Sequence, residues 1–264
     1  MAVDAATKKE FNSKISEQKK TLAEFDKDIA ALKKSMSQNE KLSPFFHIGI
    51  ASKILKQINI YIEMNHLSER MMGTKNNANL DTAKRMLNNL FLEMEKVVTL
   101  NVDTTLTHNK EMLDQIKPFN PRMKLNFYKY VEQSIRRLIA GYGDNTKWKW
   151  SFPELWAKLA IIGKNITDFR EIQAKRDPRE EFFYDRQEML NIVKEALFNA
   201  SSMYRDKFEI STKSSNDLVY AMKLLQDLRK IATMTGDAEL GKKCKSGIDS
   251  YKTRIKAEEK QKEK

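Results

Sequence analysis

The stretch EMNH sets Glu63 and His66 at the E-x-x-H spacing, which puts a carboxylate and an imidazole on one face of a helix. Di-metal carboxylate sites use this pair. They also need a second such pair and two further glutamates from neighbouring helices. The other histidines, His47 and His108, are not in E-x-x-H, so Glu63 and His66 read as a plain surface pair and no metal site is expected. The one thiol, Cys244, falls on an apolar helical stripe and reads as a buried, inert side chain. Its neighbours Lys242, Lys243 and Lys245 would activate it only if it were exposed. There is no G-x-S-x-G elbow, no Walker-A loop and no G-x-G-x-x-G after a strand. Carboxylates are plentiful but scattered over solvated faces. The expectation is a protein that is not an enzyme, with no catalytic site and no cofactor.

Aromatic residues offer binding chemistry instead. All three tryptophans lie in NTKWKWSFPELW, residues 145–156. Ser151 and Glu154 have capping-box spacing, so a helix is expected to start there. Trp150 then precedes the cap and Leu155 follows at hydrophobic-staple spacing, so Trp150 is expected to fold onto Leu155. Trp156 falls beside Leu155, Leu159 and Ile162 and reads as core. Trp148 shares Trp150's side of an extended pre-helix segment, with Lys147 and Lys149 opposite. No local motif accounts for Trp148, which makes it a partner-binding candidate. The second candidate surface is EEFFYDRQEM, residues 180–189. Phe182, Phe183 and Tyr184 are consecutive, and a helix cannot bury all three on one face.

The elements that position these residues read as helical throughout. The chain has 264 residues, with Gly at 8 and Pro at 5, so turns are few and elements long. Charged residues make up 32%, mean hydropathy is −0.63, and the surface is therefore heavily solvated. Phe11, Gln18, Phe25 and Leu32, with Ile15, Leu22, Ile29 and Met36, form a heptad seam along a first helix from Asp4 to Lys41. Intramolecular antiparallel packing of that seam is preferred over a homodimeric coiled coil. A second helix opens at Ser43-Pro44 and stops at Gly73. A third runs from Leu80 towards Lys117, with a break expected in TLNVDTTLTHN, residues 99–109, which is rich in β-branched and capping residues. Asn120-Pro121 starts a fourth helix that exits at Gly141 into a GYGDN turn. The fifth starts at Ser151. Asp177-Pro178-Arg179-Glu180 repeats the capping-box logic for a sixth, whose buried side would include Phe182, Met189 and Val193. The seventh spans Asp217 to Met234. The last carries Leu240, Cys244, Ile248, Tyr251 and Ile255, and its end, KAEEKQKEK, is expected to fray.

The fold expected is therefore all-α, with seven or eight mostly long helices in an elongated or bent bundle. Residues 1–264 read as one unit, with a possible joint at 118–121 separating a long-helix arm (1–117) from a helical bundle (122–264). Met and Phe, 13 each, suit adaptable protein contacts, and an extended helical body lacks the volume to hide every apolar stripe. The leading function is non-enzymatic assembly with protein partners through aromatic and Met-rich surfaces. A basic helical nucleic-acid-binding protein is the alternative. The net charge is +12, NTKWKW mixes cations with aromatics, and the tail from Lys242 to Lys264 is basic. No run reaches the roughly 20 apolar residues of a transmembrane helix.

The segment WSFPELWAKLAIIGKNITDFREIQAKRDPREEFFYDRQEML, with the long opening helix, resembles the flagellar coiling proteins of spirochaetes. These are helical, exported, non-enzymatic proteins that coat the periplasmic flagellar filament. The resemblance implies a filament-sheath component that binds other sheath or core subunits. The start, MAVDAATKKEF, has no hydrophobic leader. A leader removed before Ala2 would place the protein in the periplasm; otherwise the expected compartment is the cytoplasm.

Overall fold

The computed structural model describes residues 3–104, 106–143 and 146–262, with the side chains of 106–108, 261 and 262 outside the description. The protein is all-α and 85% helical. Among the described residues there are ten α-helices and no strand, two more helices than the upper sequence expectation. One extra helix comes from the break near residue 100, which splits the third helix. The other is a six-residue helix that follows the fifth.

The chain forms two compact units, Met1–Val97 with Lys129–Lys149, and Val98–Tyr128 with Trp150–Lys264. The joint anticipated at 118–121 lies inside the second of them.

In the first unit, α1 (Ala5–Gln38) is capped by Asp4, whose carboxylate accepts the Thr7 N–H at 2.7 Å. Its seam packs along α2 (Ser43–Met72) in antiparallel sense. Gln57 reaches the Leu22 carbonyl, Lys53 pairs with Asp28, and Gly49 faces Leu32. Ser43 does not cap α2. A 3₁₀ turn, Glu40–Leu42, leads straight into the helix, so Ser43 is already in the helical basin with φ −47°. Gly73, left-handed at φ 66°, ends α2 by donating to the Glu69 and Ser68 carbonyls. α2 is the most buried helix of this unit, from Ile48 through Ile58 and Ile62 to Leu67. α3 (Asn77–Glu95) returns along it, with its apolar face, Leu80, Ala83, Leu87, Leu90 and Met94, fully sealed. α5 (Pro121–Tyr142) begins in the second unit and ends in the first. There, Asn59 and Glu63 of α2 receive Arg137, and the Tyr142 hydroxyl donates to Asp81 at 2.6 Å. The α5 exit falls two residues past Gly141, at Gly143 with φ 76°. Asp144 and Asn145 of the expected GYGDN turn lie outside the described residues.

In the second unit, α4 (Leu106–Gln115) follows the break, and Asn120 caps α5 by accepting the Met123 N–H at 2.9 Å. α6 (Phe152–Ile166) is buried on almost every side. Gly163 is what lets α6 approach so closely: a Cβ there would sit 2.6 Å from the Tyr128 ring and 3.1 Å from Val193. The short α7 (Phe169–Ala174) is capped by Asp168. α8 (Phe183–Lys207) packs on α6 and on α9 (Ser215–Thr235), which pairs with α10 (Ala238–Lys262) as the expected αα-hairpin. The loop expected at 211–216 is shorter: a π-turn, Phe208–Thr212, runs into it and α9 begins at Ser215. α10 is helical to Lys262, so the fraying expected from residue 256 is not seen over the described residues.

Candidate functional site

Two segments have capping-box letters; at Ser151 the helix starts as expected but without the capping bond, and at Asp177 no helix starts. Ser151 makes no capping bond and already has φ −94° and ψ −16°, because a 3₁₀ turn, Lys149–Ser151, precedes α6. Glu154 turns forward instead, pairing with Lys158 at 2.6 Å. The staple geometry that would have placed Trp150 on Leu155 therefore loses its cap. Trp150 and Trp156 are both half-buried, so Trp156 is not a core residue.

Asp177 starts no helix. Its carboxylate accepts the Arg179 backbone N–H at 2.9 Å and its guanidinium at 2.6 Å. Glu180 N–H closes a turn on the Asp177 carbonyl. These bonds hold the Asp177 carboxyl below its usual range, the Arg179 side chain being the main cause. α8 starts only at Phe183.

Phe182 lies outside the helix with φ 59°, a left-handed conformation that costs a non-glycine residue about 1–2 kcal/mol. Neighbouring contacts hold it there. The Arg122 guanidinium carbon lies 5.5 Å from the Phe182 ring centre, and Arg122 also bonds Asp185 at 3.3 Å. Arg186 donates to the Glu181 carbonyl at 2.7 Å. The turn thus presents Phe182 and Phe183 half-buried and Tyr184 74% exposed. The Phe183 and Tyr184 rings meet edge to face at 5.2 Å. The sequence expectation that these three aromatics cannot share one buried face holds, but Phe182 is not the buried helical residue it resembled.

Trp148 belongs to the first unit, separate from the aromatic turn. Residues 147–151 form turns and not an extended segment, so the alternation of tryptophans and lysines across two sides does not occur. Trp148 is half-buried, with the Lys84 ammonium 3.8 Å from its ring centre and Lys147 at 5.0 Å. Both distances are within cation–π reach, and Lys84 ties the segment to α3.

Glu63 and His47 are each held by a neighbouring side chain. Glu63 receives Arg137 at 3.2 Å, and His47 pairs with Glu93 at 2.6 Å. Among the described residues, no three His, Cys, Asp or Glu side chains lie close enough to share a metal ion. Cys244 is fully enclosed, and burial pushes its thiol pKa up.

The cluster that sequence reasoning missed is Lys164 with Asp227. Their exposures are 3% and 4%, and Lys164 Nζ donates to Asp227 at 2.5 Å and to the Val102 carbonyl at 2.7 Å. Lys230 takes the other Asp227 oxygen at 2.9 Å. Next to it, Asn165 donates to the Thr99 carbonyl at 2.5 Å and accepts from Asn109 at 3.2 Å. These bonds clamp the irregular 99–104 segment onto α6. Burial holds the Lys164 ammonium below the ordinary lysine range despite the attraction of Asp227. The available signal was a single cation inside the apolar run LAIIGKNI, since a charge there requires a buried partner.

The molecule is thus an all-helical protein in which a turn held by arginine contacts adjoins the exposed Tyr184 ring. The TP0443 family model matches residues 7–259, and the chain belongs to that family, which is of the Treponema type. No curated protein matches the chain. Among solved structures, a circular tandem repeat protein with novel repeat topology is 12% identical over 90% of this chain, with a TM-score of 0.33. The chain spans 54% of that protein's length. BtubC (BKLC) from P. vanneervenii is 11% identical, covers 91% of each chain, and has a TM-score of 0.20. Scores this low carry nothing about architecture or activity. No helix among the described residues is long and apolar enough to cross a membrane.

Proposed function

We propose that this protein is a non-enzymatic assembly component that binds other proteins through the Phe182–Phe183–Tyr184 turn. One observation carries the reading: Tyr184 is 74% exposed at the start of α8, next to the strained Phe182, in a segment held by Arg122, Asp185 and Arg186. Rigid aromatic side chains flanked by arginine are the residue types that dominate protein-binding hot spots, because they bury much area at little entropic cost. A strained left-handed residue at that place is a recurrent mark of a functional segment. Met123, 49% exposed, adjoins Arg122 on the first turn of α5 and adds an adaptable apolar side chain.

The finer reading is a sheath component of a periplasmic flagellar filament. It is supported by the resemblance of residues 150–190 to flagellar coiling proteins and by the Treponema-type family. Co-sedimentation with purified filaments tests it: the protein is expected to pellet with them, and a protein that stays in the supernatant at every filament concentration refutes the finer reading.

A second reading, nucleic-acid binding, is favoured by α10, which exposes Lys242, Lys243, Lys245, Lys252, Arg254, Lys256 and Lys260. Retention on DNA or RNA separates the two. Submicromolar binding that falls steeply with salt would establish this second reading over the first.

A further inference from the structure

We infer that a notch lined by the start of α5, by α7 and by α8 in the second unit binds a carboxylate group, gripped side-on by Arg186 and from its rim by Lys124. The notch is lined by Pro121, Lys124, Asp168, Glu171, Arg186 and Met189, among others.

Arg186 is only 3% exposed. Its Nη1 is used, donating to the Glu181 carbonyl at 2.7 Å and lying 3.4 Å from Glu171 Oε1. Its Nε and Nη2 are buried and have no partner. Those two N–H groups form one edge of the guanidinium, with parallel bonds at the spacing of two carboxylate oxygens. A buried donor without an acceptor costs about 1–3 kcal/mol, and more when it is charged. The unused part of Arg186 is therefore the part shaped for a bidentate oxyanion.

Lys124 supplies a second under-satisfied cation. Among the described residues its ammonium has no hydrogen-bond or ion-pair partner. Desolvation lowers its pKa, against the attraction of Asp168 and Glu171. Those two acids are already engaged: Asp168 accepts the Arg170 and Glu171 backbone N–H groups at 3.0 Å, and Glu171 pairs with Lys175 at 3.0 Å. With both acids engaged by other donors, the Lys124 ammonium and the free edge of Arg186 are the groups of the notch left to be matched. The room inside is about 20 Å³, little more than a water-sized space, so only the oxygen tip of a ligand enters and a nucleotide or sugar is far too large. Pro121, Ile172 and Met189 give the notch apolar walls, which strengthen a charge-assisted bond by excluding water.

The carboxylate comes from a small free acid or from an acidic side chain of a protein, and the site stands whether or not the aromatic turn binds a partner. The test is an NMR titration of the full isotope-labelled chain with sodium acetate, against sodium chloride at equal ionic strength. The Arg186 Nε–H resonance is expected to move downfield and saturate at millimolar acetate, and chloride should not reproduce this. Lys124→Gln, at a half-buried rim position, should weaken acetate binding about tenfold, the loss expected for one charge-assisted hydrogen bond. Arg186→Lys, which keeps the charge and removes the fork, should abolish saturation. N-acetylglutamate N-methylamide is the second probe. Saturation by both probes assigns the site to an acidic side chain; saturation by acetate alone assigns it to a free acid. A drift identical in acetate and chloride overturns the site, as does saturable acetate binding that Lys124→Gln leaves unchanged.

Discussion

Asp227→Ala is expected to destabilise the second unit by about 3–5 kcal/mol, read from the urea midpoint. Asp227 neutralises Lys164, which is 3% exposed and has no water to turn to when the carboxylate goes. It also anchors Lys230, and through Lys164 it fixes the Val102 carbonyl. Removing one partner of a buried ion pair leaves the other charged and desolvated, which is worse than having neither. The double variant Asp227→Leu with Lys164→Met is therefore expected to recover most of the loss. A small loss in the single variant, or no recovery in the double, would show that the clamp does not hold the 99–104 segment.

Phe208→Ala is expected to cost about 3–5 kcal/mol in the same measurement. Phe208 is 0% exposed at the point where α8 passes into the π-turn. Its carbonyl accepts the Lys213 N–H at 3.1 Å, and Lys213 itself is left-handed at φ 51°. The ring lies 6.0 Å from Lys213 Nζ and 5.9 Å from the Arg254 guanidinium carbon of α10. Truncation opens a cavity and removes the face that both cations meet. An unfolding midpoint within about 1 kcal/mol of the parent would mean that the neighbouring helices close over the gap, which close-packed interiors rarely do.

Where a local signal had one physical meaning, the sequence could be read. Gly73 and Gly236 end their helices in the left-handed conformation because only glycine adopts it without strain, and Asn120 before Pro121 caps α5. The β-branched stretch from Thr99 breaks the third helix as its composition demands. Cys244 is enclosed, as its place on the apolar stripe of the last helix implied. Where one pattern had two physical outcomes, the reading went astray. Asp177-Pro178-Arg179-Glu180 has the letters of a capping box, but Arg179 captures the Asp177 carboxylate and makes a turn. Ser151 has the same letters and the helix does start there, but a 3₁₀ turn delivers the residue already helical, so the capping bond is not made. The Lys164–Asp227 clamp joins residues 63 apart, and no local periodicity encodes that pairing. The candidate site was legible in part. Three consecutive aromatics announced an exposed ring, while the left-handed Phe182 and the Arg122 contact that hold the turn depend on tertiary neighbours.

The central claim is that the aromatic turn is a protein contact, and photo-crosslinking from inside it tests this most directly. A benzophenone amino acid replacing Tyr184, introduced in the organism's own cells, is expected to yield one or two discrete protein adducts on irradiation. The same group replacing Arg85, exposed on α3 of the other unit, should yield none. No adduct from position 184, or the same adducts from both positions, would contradict the claim.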